Sequence, residues 1–158
     1  MTLLDRPARE FSAPTGKVEE AVNRGGDMRI FAHGEAALPN ESVGFLWSDG
    51  TTSPLRNQAQ SPERFAVGPT QMAEVLAAVN PEEKTLVAFY HSHPQNSANL
   101  SQEDQKVLHD QHKLGVGLPW LVSTPSGFLV AWWWADDYHG PLGTVLRPYS
   151  WQGKIAMS

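Results

Sequence analysis

Apolar positions recur along the chain with two periods, and the switches between them divide it into elements. Over DMRIFAHGEAAL (27–38), Ile30, Phe31 and Leu38 can share one face of a helix that Asp27 can cap and Pro39 stops. SVGFLWS (42–48) is an apolar run of strand length, SDGTT turns the chain toward a second strand near PLRNQAQ (54–60), and Phe65 and Val67 alternate as in a short third strand. PTQMAEVLAAV (69–79) places Met72, Val75, Leu76 and Val79 on one helical face, with Pro69 at the first helical position. NPEEK then breaks the chain before TLVAFYHSH (85–93), whose continuous apolar run predicts a central strand. A third helix fits SQEDQKVLHDQHKLG, ending at Gly115, and LPWLVST and FLVAWWW read as a closing hairpin across PSG.

The order is helix, three strands, helix, strand, helix, two strands. It predicts an α/β fold: a single domain with a curved, mixed β-sheet flanked by helices. The mixture of Pro, charge and small residues at the start reads as an N-terminal arm, bounded at 1–26. The domain proper covers 27–134, and residues 135–158, which show no clear period, form a C-terminal extension packing on or trailing from it.

At 158 residues the chain is long enough to bury a core without staples. A net charge of −5 gives no basic footprint for nucleic acid. No apolar leader and no run of about 18 apolar residues is present, so neither secretion nor membrane insertion is expected, and a cytoplasmic location is. The absence of cysteine excludes thiolate metal sites and Cys nucleophiles, leaving His and carboxylates as the strong metal ligands.

That restriction directs attention to HSHPQNSANLSQED (91–104). Each of its features has an ordinary explanation: paired histidines at a strand end can be surface residues, and Ser101 with Asp104 resembles a capping box. Together they do more. His91 and His93 lie on one strand face, about 6.5–7 Å apart at Cα, and can converge on one ion. Asp104, in the first turn of the next helix, can supply a third ligand and leave a fourth position for water, the pattern of a catalytic zinc site. Hydrolysis needs a further carboxylate that does not ligate. Glu41, opening a strand after Pro39, is the candidate. Glu35 competes, but it sits mid-helix, where a solvated role is expected.

His91-x-His93, seven intervening residues and Ser101-x-x-Asp104 reproduce the whole signature of the JAMM (MPN-plus) metalloproteases, and PNESVGFLW resembles that family's upstream glutamate segment. The element order from about residue 27 to 134 is similar to the family's cytidine-deaminase-like architecture. The resemblance implies that His91, His93 and Asp104 hold Zn2+, that Glu41 is the general base, and that Ser101 hydrogen-bonds the oxyanion. It also implies hydrolysis of peptide or isopeptide bonds, with a ubiquitin-like or sulfur-carrier-like protein, or another peptide with an extended C-terminal tail, as substrate. The short connections suggest a compact, prokaryote-type member without the long insertions of its eukaryotic relatives. GLPWLVSTPSGF resembles JAMM domains of phage tail-assembly proteins, so a tail-associated peptidase is a second context, and a non-catalytic MPN-type interaction module a third reading.

Asn57 lies where family members often place residues near the substrate, and is carried as a substrate-binding candidate. His109 and His112, three apart on a predicted helix, read as a solvated face. Trp132 and Trp134 should share one strand face and Trp133 the other.

Overall fold

The computed structural model describes residues 16–148; the first fifteen residues of the expected arm and the last ten of the extension lie outside them. Helix α1 (Gly16–Ala21) continues through a π-helical turn, Val22–Gly26, into α2 (Asp27–Ala37), with Gly25 breaking the helix at φ 104°. Val18, Ala21, Val22 and Ile30 are buried against Leu46, Tyr90 and Leu121 of the sheet. Residues 16–26, expected within the arm, thus pack on the sheet; Val18, Ala21 and Val22 span too few turns to establish a period in the sequence. Asp27 sits inside the first turn rather than at the cap. Its Oδ1 accepts from the Met28 N–H at 2.7 Å, and its Oδ2 pairs with Arg147 at 3.3 Å.

Six strands form one mixed sheet in the order β2-β1-β3-β4-β5-β6: β1 Val43–Trp47, β2 Thr52–Leu55, β3 Leu86–Ser92, β4 Trp120–Ser123, β5 Leu129–Ala135 and β6 Gly140–Arg147. All neighbours run antiparallel except β3 and β4. That parallel pair requires a crossover, which α4 (Gln102–Lys113) supplies. Helix α3 (Pro69–Ala77) begins with Pro at its first position, as expected, and turns Met72 and Val75 toward the core.

Side-chain alternation gives the sheet two apolar faces. Phe45, Trp47, Phe89, Trp120, Val122 and Trp132 pack under α4 and α3, while Leu46, Ala88, Tyr90, Leu121 and Ala131 pack under α1 and α2. Trp134 joins the α4 face with Trp132, as alternation predicts.

Two strand expectations are corrected. The third strand at Phe65 and Val67 does not form; these residues lie in a loop, and both rest on the α4-side core. The second strand stops at Leu55 instead of running to residue 60, because from Asn57 onward a side chain takes the backbone bonds a strand partner would take. A sixth strand, β6, occupies part of the stretch that showed no period. Its Gly143 is a packing requirement: a Cβ there would come within 2.7 Å of the Trp132 ring.

Gly44 of β1 stands opposite Tyr90 of β3, and an added Cβ would collide with the phenol ring, whose hydroxyl lies 2.6 Å from His33 Nδ1. Gly44→Ala is therefore expected to lower stability by about 1–3 kcal/mol, the usual cost of overpacking a core. An unchanged urea midpoint would contradict this packing account.

Candidate metal centre

His91 near the end of β3 and His93 just beyond it reach one point on the α4 side, with Ser92 between them turned to the other face. Pairing with β4 persists to the strand's end: the His93 N–H donates to Ser123 O at 2.8 Å, and Pro94 follows. The chain then returns through residues 95–100 to Ser101, which caps α4. Ser101 Oγ accepts from the Asp104 N–H at 3.0 Å, and Asp104 Oδ2 accepts from the Ser101 N–H at 3.1 Å. The capping box is thus real, and it does not compete with the site. It fixes Asp104 so that the same Oδ2 lies 3.2 Å from His91 Nε2 and 3.0 Å from His93 Nε2, the two nitrogens being 3.1 Å apart. Ligand atoms around a tetrahedral zinc stand about 3.3 Å from one another, so the three atoms are spaced within a few tenths of an ångström of that arrangement.

Glu41 lies just before β1, and its carboxylate and the two imidazoles offer ligand atoms all within 4.8 Å of one another. It is 2% exposed, and its Oε1 has no hydrogen-bond partner among the described residues. A buried carboxylate oxygen left without a donor is costly unless something else meets it. A cation, or a water held by one, fits that need.

The hydrogen bonds also orient the rings. His93 Nδ1 lies 2.7 Å from Ser97 O, so it carries a proton and donates, leaving Nε2 to face inward. Sequence reasoning missed Ser97 because a carbonyl carries no residue signature. His91 lies against Phe65 and Trp120, with ring centroids 4.9 and 5.3 Å away, and its Nδ1 has no partner among the described residues. Phe65, expected in a strand, instead walls the site against water.

Burial pushes the Glu41 carboxyl up to about 8; the charge of His93 opposes the rise, and Asp104 and Glu103 add to it. Burial also pushes Asp104 up, but its bonds with His91 and His93 outweigh that and hold its carboxyl well below the usual carboxylate range. Burial lowers His91. For His93 the effect of burial is overcome by Asp104, and its value is raised.

Outside this cluster an open cleft of about 880 Å³ is lined by Glu41, Ser61, Arg64, His93, Gln95 and Ser101, among others. Ser101 Oγ accepts from a backbone N–H, which leaves its own proton free to donate into the cleft. Of the sequence candidates, Glu41, His91, His93, Ser101 and Asp104 come together here. Asn57 stands beside them, but its side chain is bonded to the backbone of Glu41, Ala59, Arg64 and Ala66. Glu35 is exposed on α2 and borders a separate cavity with Ser92 and Ser123, on the other face of the sheet. His109 packs edge-on against Trp134, and His112 pairs with Asp136 at 2.8 Å.

The raised Glu41 carboxyl makes a pH prediction for protein stripped of metal. A group whose folded pKa lies above its unfolded value favours folding fully below the unfolded pKa and loses that contribution as pH rises through the folded one. Glu41→Gln removes the dependence. The variant's stability advantage over the wild type should therefore grow between about pH 4.5 and pH 8 and level off above. Urea unfolding of both proteins at pH 5 and pH 9 measures it; equal differences at the two pH values would contradict the burial account.

The profile of the family described as prokaryotic homologs of the JAB domain matches residues 28–135. The solution structure of a Desulfitobacterium hafniense protein is similar at 25% identity with a TM-score of 0.60, over 73% of this chain and 83% of that one. The crystal structure of a JAB1/MPN domain protein from Archaeoglobus fulgidus matches at 16% identity over 85% of this chain and 94% of that one, with a TM-score of 0.41. No curated protein matches the chain. With more than half of its length inside the matched region, and the expected His, Asp and Glu side chains gathered at one buried point, the chain belongs to the prokaryotic JAB (JAB/MPN) domain family.

Proposed function

We propose that this protein is a zinc-dependent peptidase that hydrolyses a peptide or isopeptide bond at the extended C-terminal tail of a ubiquitin-like or sulfur-carrier-like protein. The observation that carries the reading is the Glu41 carboxylate, buried and without a partner at Oε1 among the described residues, beside two imidazoles that share the Asp104 oxygen. His91, His93 and Asp104 would hold the ion, which supplies Lewis acidity and brings the pKa of water from 15.7 toward about 7. Glu41 then takes the proton of the attacking water and delivers it to the leaving amine. Burial raises the Glu41 carboxyl in the metal-free site; a cation bound beside it would favour the carboxylate, the form that can take a proton. Ser101 donates a hydrogen bond through its O–H to the oxygen that gains charge at the scissile carbonyl.

The cleft is open and most of its lining residues carry polar side chains, which suits an extended chain. The outer edge of β2 is poorly accessible to such a chain. Pro54 offers no N–H there, and both the N–H and the carbonyl of Arg56 are bound by the Gln71 amide. A substrate strand would have to displace Gln71 to pair at that edge, so the tail is expected to lie in the cleft between residues 61–64 and 95–103.

The protein is expected to carry about one zinc per chain, lost in His91→Ala or His93→Ala and bound more weakly as pH falls, because ligating imidazoles must be neutral. Glu41→Gln should retain zinc and fold while hydrolysis falls by about 10²–10⁴-fold. Asp104→Asn should weaken the metal itself, and Glu35→Gln should do neither. Zinc content and turnover of a fusion with an extended, Gly-rich tail test all three. Full activity in Glu41→Gln would remove it from the mechanism, and a metal-loaded wild type inert toward every tail offered would favour an interaction module.

A further inference from the structure

Glu41 is buried, yet its reactive end is held by nothing: Oε1 has no partner among the described residues, and β1 begins only at Val43. What directs the carboxylate is its own backbone. The Glu41 N–H donates to Ser61 O at 2.9 Å, and the Glu41 carbonyl accepts from Asn57 Nδ2 at 3.0 Å. Both partners belong to the loop that follows β2, and Asn57 closes that loop. Its Nδ2 also donates to Arg64 O at 3.1 Å, while its Oδ1 accepts from the N–H groups of Ala59 and Ala66, each at 3.0 Å. A carboxamide has two N–H donors and two acceptor lone pairs, so the hydrogen-bonding capacity of Asn57 is fully used, one bond on Glu41 and three on the loop. The position follows from the strand register. Val43 stands opposite Leu55 in antiparallel β1 and β2, and continuing that register two residues outward sets Glu41 opposite Asn57.

We propose that Asn57 is a positioning residue that aims Glu41. The inference rests on the reading of Glu41 as the proton carrier and deepens it. Without a contact at its tip, the carboxylate goes where its Cα and Cβ direct it, and a displacement of about 1 Å in a reacting group can cost 10²-fold in rate. A substrate-contact role, the expectation from the sequence, would need a polar atom of Asn57 that is not already bonded. A simple loop brace would support folding with no particular dependence on Glu41.

Asn57→Asp separates these readings. It keeps the acceptor bonds to Ala59 and Ala66, and so the loop turn, but sets a carboxylate oxygen against the carbonyls of Glu41 and Arg64. On zinc-loaded protein with a tail fusion as substrate, kcat should fall about 10–100-fold, with KM within about two-fold and zinc content unchanged. In a Glu41→Gln background the same substitution should cost almost nothing further, because the group it aims is already disabled. A raised KM at constant kcat would overturn the proposal in favour of substrate contact, and losses that multiply in the double variant would overturn it in favour of a brace. Amide exchange gives a readout that needs no turnover. In the wild type the Glu41 N–H should be protected to an extent comparable with Phe45 in β1, and in Asn57→Asp it should exchange about 10-fold faster while Phe45 is unchanged. An unprotected Glu41 amide in the wild type, or equal exchange in the two proteins, would overturn the positioning role. A wild type that hydrolyses nothing would sink the proposed function alone.

Discussion

Four ionisable side chains are almost wholly buried at the floor of the cleft: Glu41 is 2% exposed, His91 1%, His93 6% and Asp104 8%. Burying a charge without compensation costs several kcal/mol, so each such group must be bonded, neutralised or met by another charge. Much of the surrounding structure answers that requirement. Asp104 Oδ2 collects both imidazoles and the Ser101 N–H, and His93 is bonded on its far side to the Ser97 carbonyl. Glu41 Oε1 and His91 Nδ1 are the remainder, unsatisfied among the described residues. Of the two, Glu41 Oε1 belongs to the carboxylate beside the imidazoles, and an unpaired atom there is where a protein stores capacity to bind or to react.

The sheet topology makes this cluster possible. The one parallel pair among the described residues, β3 beside β4, requires the crossover that brings the start of α4 back to the end of β3, where the histidines are. Asp104 thereby stands in the first turn of a helix, whose positive end favours a carboxylate. Ring contacts complete the enclosure. Phe65 and Trp120 lie over His91, and Trp120 continues through Phe89 to Phe45 into the main core. The wall behind the candidate ligands and the hydrophobic core are one continuous packing unit, so these side chains inherit the rigidity of the core.

Opposite that wall the structure is held by hydrogen bonds instead. Gln95 bonds to the Pro62 carbonyl and joins the loop after β3 to the loop after β2. Ser42, next to Glu41, is anchored through its N–H to Ser92 Oγ at 2.8 Å. Ser92 lies between the two histidines, so the strand that carries the ligands also supports the neighbour of the candidate base from its other face. An apolar core cannot provide this kind of support, because the groups to be held are backbone amides and carbonyls at the end of a strand.

The convergence of His91, His93 and Asp104 was legible in the sequence because these residues are local. A period of two puts His91 and His93 on one face, and a helix start fixes Asp104 relative to Ser101, so short-range backbone geometry nearly determines three of the atoms. The apolar runs of β1, β3, β4 and β5 were readable for the same reason. The edges of the structure were not. Helix α1 is too short to show a period, and the strand expected at Phe65 gives way to a loop closed by Asn57. Strand β6 carries a glycine that only the Trp132 ring explains. Tertiary structure alone brought Glu41 to the histidines, set Ser97 behind His93, and turned Asn57 toward the Glu41 carbonyl. These are contacts between distant segments made through backbone groups that every residue carries, and a backbone carbonyl leaves no mark in a sequence until the chain has folded around it.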